Sequence, residues 1–122
     1  ATFTRKMKKD DGFIPKETLQ AMLNNEELTE VEIPSIITEY QQKYPHISRI
    51  QDSSLLLYNL YRGLYPWPGI WTKVQIHGEE KRLKITDMVY ENEHVFITKV
   101  QLEGKNEVDF KVFNNSYHIF FQ

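Results

Sequence analysis

The apolar residues of this chain repeat with a helical period in its first half and with a period of two in its second half. Before residue 65 they recur every three or four positions in three stretches, which predicts three helices. The first helix is predicted over 15–25, the second over 34–44, and the third begins at Asp52 or Ser53. The third pattern is the clearest, and the residues that share its apolar face are Leu56, Leu57, Leu60, Tyr61 and Leu64.

The second half of the chain alternates between apolar and polar residues, which is typical of strands. Residues 72–76 alternate up to a turn at 78–80, and 82–86 alternate after it, so the two segments are predicted to form a hairpin. A further strand is predicted over 94–102. The residues that share one face of it are Phe96, Thr98, Val100 and Leu102.

The C-terminal segment allows two interpretations. Val108, Phe110 and Val112 alternate as in a strand, whereas Asp109 as a cap before Phe110 and Phe113 fits a short helix, which we favour. Residues 117–121 are predicted to add a last short strand. Several short strands, fewer than a sandwich needs, predict a mainly β fold: a small Greek-key, OB-like barrel preceded by about three helices.

Composition restricts the class of protein. The 122 residues, 40% hydrophobic and 26% charged, suffice for one globular domain. The chain has no cysteine, which excludes disulfides and thiolate metal sites and is compatible with a reducing compartment. Because no apolar run is long enough to span a membrane, we expect a soluble, cytoplasmic domain. Four scattered histidines are predicted to be structural or exposed rather than metal ligands: His46, His77, His94 and His118.

Charge is distributed unevenly along the chain. A net charge of −2 argues against a strong nucleic-acid binder, because affinity for phosphate is largely electrostatic. Residues 17–42 contain six glutamates and neither lysine nor arginine, however, so the rest of the chain carries a net charge of +4. We therefore interpret 15–51 as an acidic helical insertion that packs on a mildly basic barrel.

The third predicted helix leads into the most informative segment, which we call the corner: Pro66, Trp67, Pro68 and Gly69. Proline restricts its own φ and the conformation of the residue before it, so the corner is predicted to be a rigid structural motif that aims the Trp67 ring. Trp67 and Trp71 fit two roles, stacking on nucleobases or packing in the domain. We favour packing, because tryptophan buries a large apolar area.

Four segments of the chain resemble one family in the expected order. Arg62 and the corner resemble the R-x-x-N-P-W-P-G-A motif that opens the C-terminal domain of methionyl-tRNA formyltransferases. Residues 1–14, ATFTRKMKKDDGFI, are similar to the A-T-Y…K…E-D-G-x-I connector that leaves the catalytic domain of that family. Residues 82–85, RLKI, and 102–105, LEGK, are similar to its L-K-I strand and its late P-x-G-K turn.

This resemblance implies an architecture and an activity. Residues 1–14 would be an interdomain connector, 15–51 an insertion that relatives lack, and 52–122 the C-terminal OB-like domain. The family keeps its catalytic residues in the N-terminal domain, so we expect neither a catalytic centre nor a cofactor in this chain. The parent protein would transfer a formyl group from 10-formyltetrahydrofolate to methionyl initiator tRNA in translation initiation.

The resemblance also implies that this domain helps the N-terminal catalytic domain to hold the tRNA. Lys73 shares one strand face with Gln75, and Arg82 shares one with Lys84, which predicts a basic strip opposite the apolar side. Such a strip would contact phosphates without reading bases, although a solvated sheet face explains the same pattern. The candidate tRNA-binding residues are Arg5, Lys6, Lys8, Lys9, Arg62, Lys73, Lys81, Arg82 and Lys84.

Two other functions stay open. The domain would be a packing module without nucleic-acid binding if the parent formyltransferase acted on another amine, such as a nucleotide-linked sugar, or on folate. It would be a free-standing OB-like interaction module if no catalytic half preceded it. Tyr65 stands where the family usually has asparagine and Ile70 where it usually has a small residue, so we expect different packing around the corner.

Overall fold

The computed structural model describes residues 8–26 and 53–121. These residues form a small, barrel-like, mainly β domain, as the sequence predicts, with one four-stranded antiparallel sheet and three α-helices. A 3₁₀-helix (Lys9–Gly12) precedes α1 (Lys16–Leu23), α2 (Ser53–Leu64) and α3 (Phe110–Tyr117). The strands are β1 (Ile70–Ile76), β2 (Glu79–Glu91), β3 (His94–Leu102) and β4 (Glu107–Asp109). The predicted helix at 34–44, the Asp52 cap, and the candidates Arg5 and Lys6 lie outside the described residues.

The predicted hairpin is formed by β1 and β2, with a tighter turn than the sequence indicated. His77 and Gly78 alone make the turn, and both have positive φ angles, 50° and 81°. Two consecutive residues with positive φ match the twist of a two-residue hairpin. Glu79 therefore already pairs with Ile76 in the ladder, and the expected turn at 78–80 is wrong by one to two residues.

An irregularity in the β2–β3 ladder changes which residues face the core. The register is regular up to the pair Ile85 and Val100, shifts around Asp87, and resumes at the pair Met88 and Ile97. Extra residues in a ladder bend it and reverse the alternation. The prediction of one continuous β3 face is therefore wrong, since Phe96 is 38% exposed, and the buried residues of β3 are Val95, Ile97, Val100 and Leu102.

The core lies between the inner face of the sheet and helices α1 and α2. Leucines of α2 pack there with alternate residues of β1 and β2, as their spacing predicts; they are Leu56, Leu57, Leu60 and Leu64. The hydroxyl of Ser54 accepts a 2.7 Å hydrogen bond from the backbone N–H of Val95, which attaches the start of α2 to β3. No helix within 8–26 or 53–121 is long and apolar enough to cross a membrane.

The ambiguous segment before residue 114 contains both predicted structures in turn. Glu107–Asp109 pairs with β3 as the short strand β4, and Asp109 then precedes α3, as the favoured helical interpretation requires. Because the alternation of Val108 with its neighbours and the helical spacing from Phe110 overlap by only a few residues, the sequence pattern alone did not separate them.

The prediction of a last strand at 117–121 is wrong. Helix α3 continues to Tyr117, and His118 ends it with a φ of 52°. The Asn114 side chain then accepts hydrogen bonds from the backbone N–H groups of Ile119 and Phe120, which leaves them unavailable to a neighbouring strand. The described strands lie in the sheet in the order β1-β2-β3-β4.

Candidate functional site

The connector packs directly against the corner. Gly12 lies so close to Gly69 that a Cβ atom on Gly12 would stand 1.7 Å from the Gly69 carbonyl oxygen. The N–H of Ile14 donates to the carbonyl oxygen of Trp71 at 3.0 Å, and Trp71 Nε1 donates to the carbonyl oxygen of Lys9 at 2.9 Å. These contacts join two segments that are distant in the sequence and cover Trp71 on the outer face of β1.

The corner turns the chain from α2 into β1 and exposes one of the two tryptophans. Both of its proline peptide bonds are cis, Gly69 has a φ of 74°, and the Gly69 N–H donates to the carbonyl oxygen of Leu64 at 2.9 Å. Trp71 is 9% exposed, so its predicted packing role is confirmed. Trp67 is 59% exposed and the same prediction is wrong for it, because the corner turns this ring away from the core.

A surface cleft of about 420 Å³ lies beside the corner. Its walls include Lys9 of the connector, Trp67 and Pro68 of the corner, Trp71, Arg82 and Lys84 of the hairpin, and residues 102–104 of the turn after β3. All four segments that carry the family resemblance therefore contribute to one cleft. Segments that are far apart in the sequence and meet at one concave surface define the candidate site of this domain.

Strand pairing places several of the candidate basic residues on the same face of the sheet. Lys73 is paired with Arg82, and Trp71 with Lys84, so these side chains project from the outer face beside the cleft. Lys84 extends across Gly69, where a Cβ atom would meet its Cε at 2.9 Å. We call this group the basic strip; it comprises Lys9, Lys73, Arg82 and Lys84.

Two cations of the basic strip, Lys9 and Lys73, lie over aromatic rings. Lys9 Nζ lies 5.9 Å from the centre of the Trp71 ring, and Lys73 Nζ lies 5.5 Å from that of Phe13. Lys73 Nζ is also 4.0 Å from Glu80 Oε2, and both side chains are about half exposed, so this ion pair contributes little to stability. Lys9 and Lys73 are thus held over aromatic faces while remaining accessible to an anion.

Three other candidates lie away from the strip. Lys81 is paired with Val74, on the face opposite to Lys84, and forms a 3.5 Å ion pair with Glu79. Arg62 is exposed on α2, where its guanidinium lies 5.9 Å from the centre of the Tyr58 ring. Lys8 is exposed and does not line the cleft. The alternation of β2 already indicated that Lys81 lies on the other face from Arg82 and Lys84. Contact of Lys81, Arg62 or Lys8 with tRNA stays a prediction.

Glu103 lines the cleft although the sequence pattern did not indicate it as a site residue. Its Oε1 accepts a 2.9 Å hydrogen bond from the Arg82 N–H and lies 3.8 Å from Arg82 Nε. The backbone hydrogen bond from Arg82 lowers the pKa of Glu103, and the positive charges of Arg82 and Lys81 act in the same direction. Glu103 therefore carries a negative charge at neutral pH and orients Arg82. In the sequence, its position within the LEGK segment was the only indication that it belongs to the site.

A second polar group joins α2 to the bend of the sheet. Asp87 accepts hydrogen bonds from the hydroxyl groups of Tyr61, at 3.2 Å, and of Thr98. Burial raises the pKa of Tyr61, and the hydrogen bond and negative charge of Asp87 raise it further. None of these residues lines the cleft, so we assign them to the fold. Within the described parts of the chain, no three histidine or acidic side chains are grouped as a metal site.

The fold and the cleft define a small, mainly β domain with a surface site that is both cationic and aromatic. Over 30 residues the chain is 53% identical to a methionyl-tRNA formyltransferase of Protochlamydia amoebophila (strain UWE25). The matched segment covers 25% of this chain and 9% of that protein. No protein-family model matches the chain, and no solved structure matches it. The chain thus shares a short segment with a formyltransferase.

Proposed function

We propose that this chain is the C-terminal domain of a methionyl-tRNA formyltransferase and that it holds the tRNA through phosphate contacts. One observation carries the proposal: the four segments that resemble this family line a single cleft whose walls are cationic. The 30-residue similarity to a formyltransferase also supports it. The parent protein would transfer formyl from 10-formyltetrahydrofolate to methionyl initiator tRNA, with its catalytic residues in an N-terminal domain.

The basic strip suits a phosphate backbone rather than a specific base. Lys9, Lys73 and Lys84 offer flexible point charges, and Arg82 offers a planar fork that matches phosphate geometry. Because Glu103 neutralises part of the Arg82 charge, Lys9 and Lys84 carry the larger share of the attraction within the cleft. Such contacts fix the position and orientation of an RNA without selecting its sequence.

The salt dependence of tRNA binding tests the proposal. We expect fluorescence anisotropy with labelled initiator tRNA to give a plot of log K against log salt with a slope of about −3 to −4, from four cations that each displace counterions. Binding that is indifferent to salt would rule out the basic strip. Absence of binding would favour the alternative function, a packing module in a formyltransferase that acts on another amine. The ion pairs Arg82–Glu103 and Lys73–Glu80 are also compatible with that alternative.

Two lysines of the same strand provide a matched pair of variants. Lys84→Met removes a charge from the cleft and keeps the side-chain stem that packs on Gly69, whereas Lys81→Met removes the same charge from the opposite face. We expect Lys84→Met to reduce the magnitude of the salt slope by about 1 and Lys81→Met to leave it unchanged. Equal effects of the two substitutions would show that net charge, not the strip, attracts the tRNA.

A further inference from the structure

We infer that Trp67 stacks on the base of an unpaired nucleotide whose phosphate lies in the adjacent cleft. This inference rests on the proposed function and adds a base contact to it. The partner class is a single-stranded stretch of nucleic acid, such as a loop or a free end, in which a base has an open aromatic face.

The exposure of Trp67 is the first observation that supports this contact. The ring is 59% exposed although tryptophan is among the residues that gain most from burial. The backbone that carries it is fixed by two prolines and by the hydrogen bond from Gly69 to the carbonyl oxygen of Leu64. A flat apolar ring on a restrained backbone is ready to stack, because the main chain that carries it has little conformational entropy left to lose on binding.

The composition of the cleft is the second observation. Its volume of about 420 Å³ falls in the range of small-ligand sites. Trp67 and Pro68 form an apolar wall, and Lys9, Arg82 and Lys84 contribute positive charge to the same cleft. Proteins that bind single strands combine such a cationic track for the backbone with an aromatic ring for each base.

Trp71 has a supporting role in this arrangement. Its ring is 9% exposed, and its Nε1 donates to the carbonyl oxygen of Lys9, so it fixes the connector at the edge of the cleft and offers no open face. The bases of a duplex are stacked on each other and present no free face to Trp67. The cleft therefore favours unpaired nucleotides over a regular helix.

The test compares the full chain with two alanine variants of neighbouring exposed aromatic residues. Trp67→Ala removes the stacking ring, and Tyr65→Ala removes a ring that is 63% exposed and does not line the cleft. We expect Trp67→Ala to weaken the binding of a single-stranded oligoribonucleotide by about 5- to 150-fold, the range of one base–aromatic stack. Tyr65→Ala should bind like the unsubstituted chain, which we call the parent chain. Trp67→Phe should recover part of the affinity that Trp67→Ala loses.

Three further ligands separate the base contact from the phosphate contact. A duplex of the same length and an oligonucleotide with abasic positions should bind the parent chain and Trp67→Ala equally. The single strand should quench the tryptophan fluorescence of the parent chain, and this change should disappear in Trp67→Ala. If a free mononucleotide quenched as strongly as the oligonucleotide at equal concentration, the assignment to a strand would be overturned.

The outcomes for the inference differ from those for the proposed function. Equal affinity of the parent chain and Trp67→Ala for the single strand overturns the stacking contact, even where tRNA binding keeps its salt slope. Loss of salt-dependent tRNA binding in the parent chain overturns the proposed function instead. Circular dichroism and thermal unfolding of each variant verify that a lost affinity is not a lost fold.

Discussion

Asn114 fixes the C-terminal segment to helix α3, and its replacement by alanine is a direct test of the fold. Its Oδ1 accepts the N–H groups of Ile119 at 3.0 Å and of Phe120 at 2.9 Å, and its Nδ2 donates to the carbonyl oxygen of Phe120 at 2.8 Å. Phe120 is buried, and its ring lies 5.8 Å from that of Phe110. The three hydrogen bonds therefore hold a core residue that belongs to no regular element.

The expected loss of stability follows from these contacts. A typical hydrogen bond contributes a net stabilisation of about 1 kcal/mol, and three give about 3 kcal/mol. Asn114 is half-buried, so water replaces part of the lost hydrogen bonding and makes the loss of stability smaller. Partial exposure of the Phe120 ring in the variant makes the loss larger. The Gln20 side chain also holds the segment, through two hydrogen bonds to the Phe121 backbone. We expect Asn114→Ala to lower the free energy of unfolding by about 2 to 3 kcal/mol.

The assay is urea unfolding followed by tryptophan fluorescence, with linear extrapolation to water. Asn115→Ala is the control, because Asn115 lies on the same helix and is exposed. Both substitutions replace asparagine by alanine, so they raise the helix propensity by the same amount. We expect the control to be as stable as the parent chain or slightly more stable. In thermal unfolding the melting temperatures of the two variants should differ by about 8 to 12 °C.

One result would refute this reasoning. If the unfolding free energies of the two variants agreed within about 0.5 kcal/mol, the three hydrogen bonds would contribute nothing that water does not replace. The C-terminal segment would then be held by the burial of Phe120 and by the two hydrogen bonds from Gln20.

Two other substitutions probe the joins between distant segments. Gly12→Ala brings a Cβ atom against the Gly69 carbonyl oxygen, so we expect a loss of about 3 kcal/mol in thermal unfolding and weaker tRNA binding, as the connector is displaced. Tyr61→Phe removes the hydrogen bond to Asp87 and should cost about 1 kcal/mol at neutral pH in urea unfolding. Because the pKa of Tyr61 is raised above 10.0, its contribution is present below that pH and is lost as the pH rises through the folded value. The stability of Tyr61→Phe should therefore decline less at alkaline pH than that of the parent chain; an equal decline would contradict the assignment.

Local pattern was sufficient for the elements that present one face to a single core. The spacing of Leu57, Leu60 and Leu64 predicts the buried face of α2, and the alternation in 72–76 predicts that of β1. Both depend only on the geometry of one element against one core. For the same reason the alternation of β2 predicted that Arg82 and Lys84 share a face.

The errors occurred where the surroundings of a residue override its local pattern. Phe96 has the spacing of a core residue, but the irregularity at Asp87 reverses the alternation of β3. Residues 117–121 have the composition of a strand, but Asn114 binds their backbone groups first. Trp67 has the character of a packing residue, but the corner directs it into solvent. None of these effects can be identified from the affected residue alone.

The amino-acid sequence by itself determined the mainly β class, the third predicted helix and its corner, and the faces of residues 72–76 and 82–85, because period and proline stereochemistry act over a few residues. Only the tertiary structure decided that the connector, the corner, the second strand and the late turn surround one cleft, with Lys9 and Lys84 at the same opening and Lys81 behind the sheet. The physical reason is that the contact between Gly12 and Gly69 depends on close packing between two segments that are distant in the sequence, and that a shift in the register of a ladder changes which face a residue occupies. Local periodicity encodes neither.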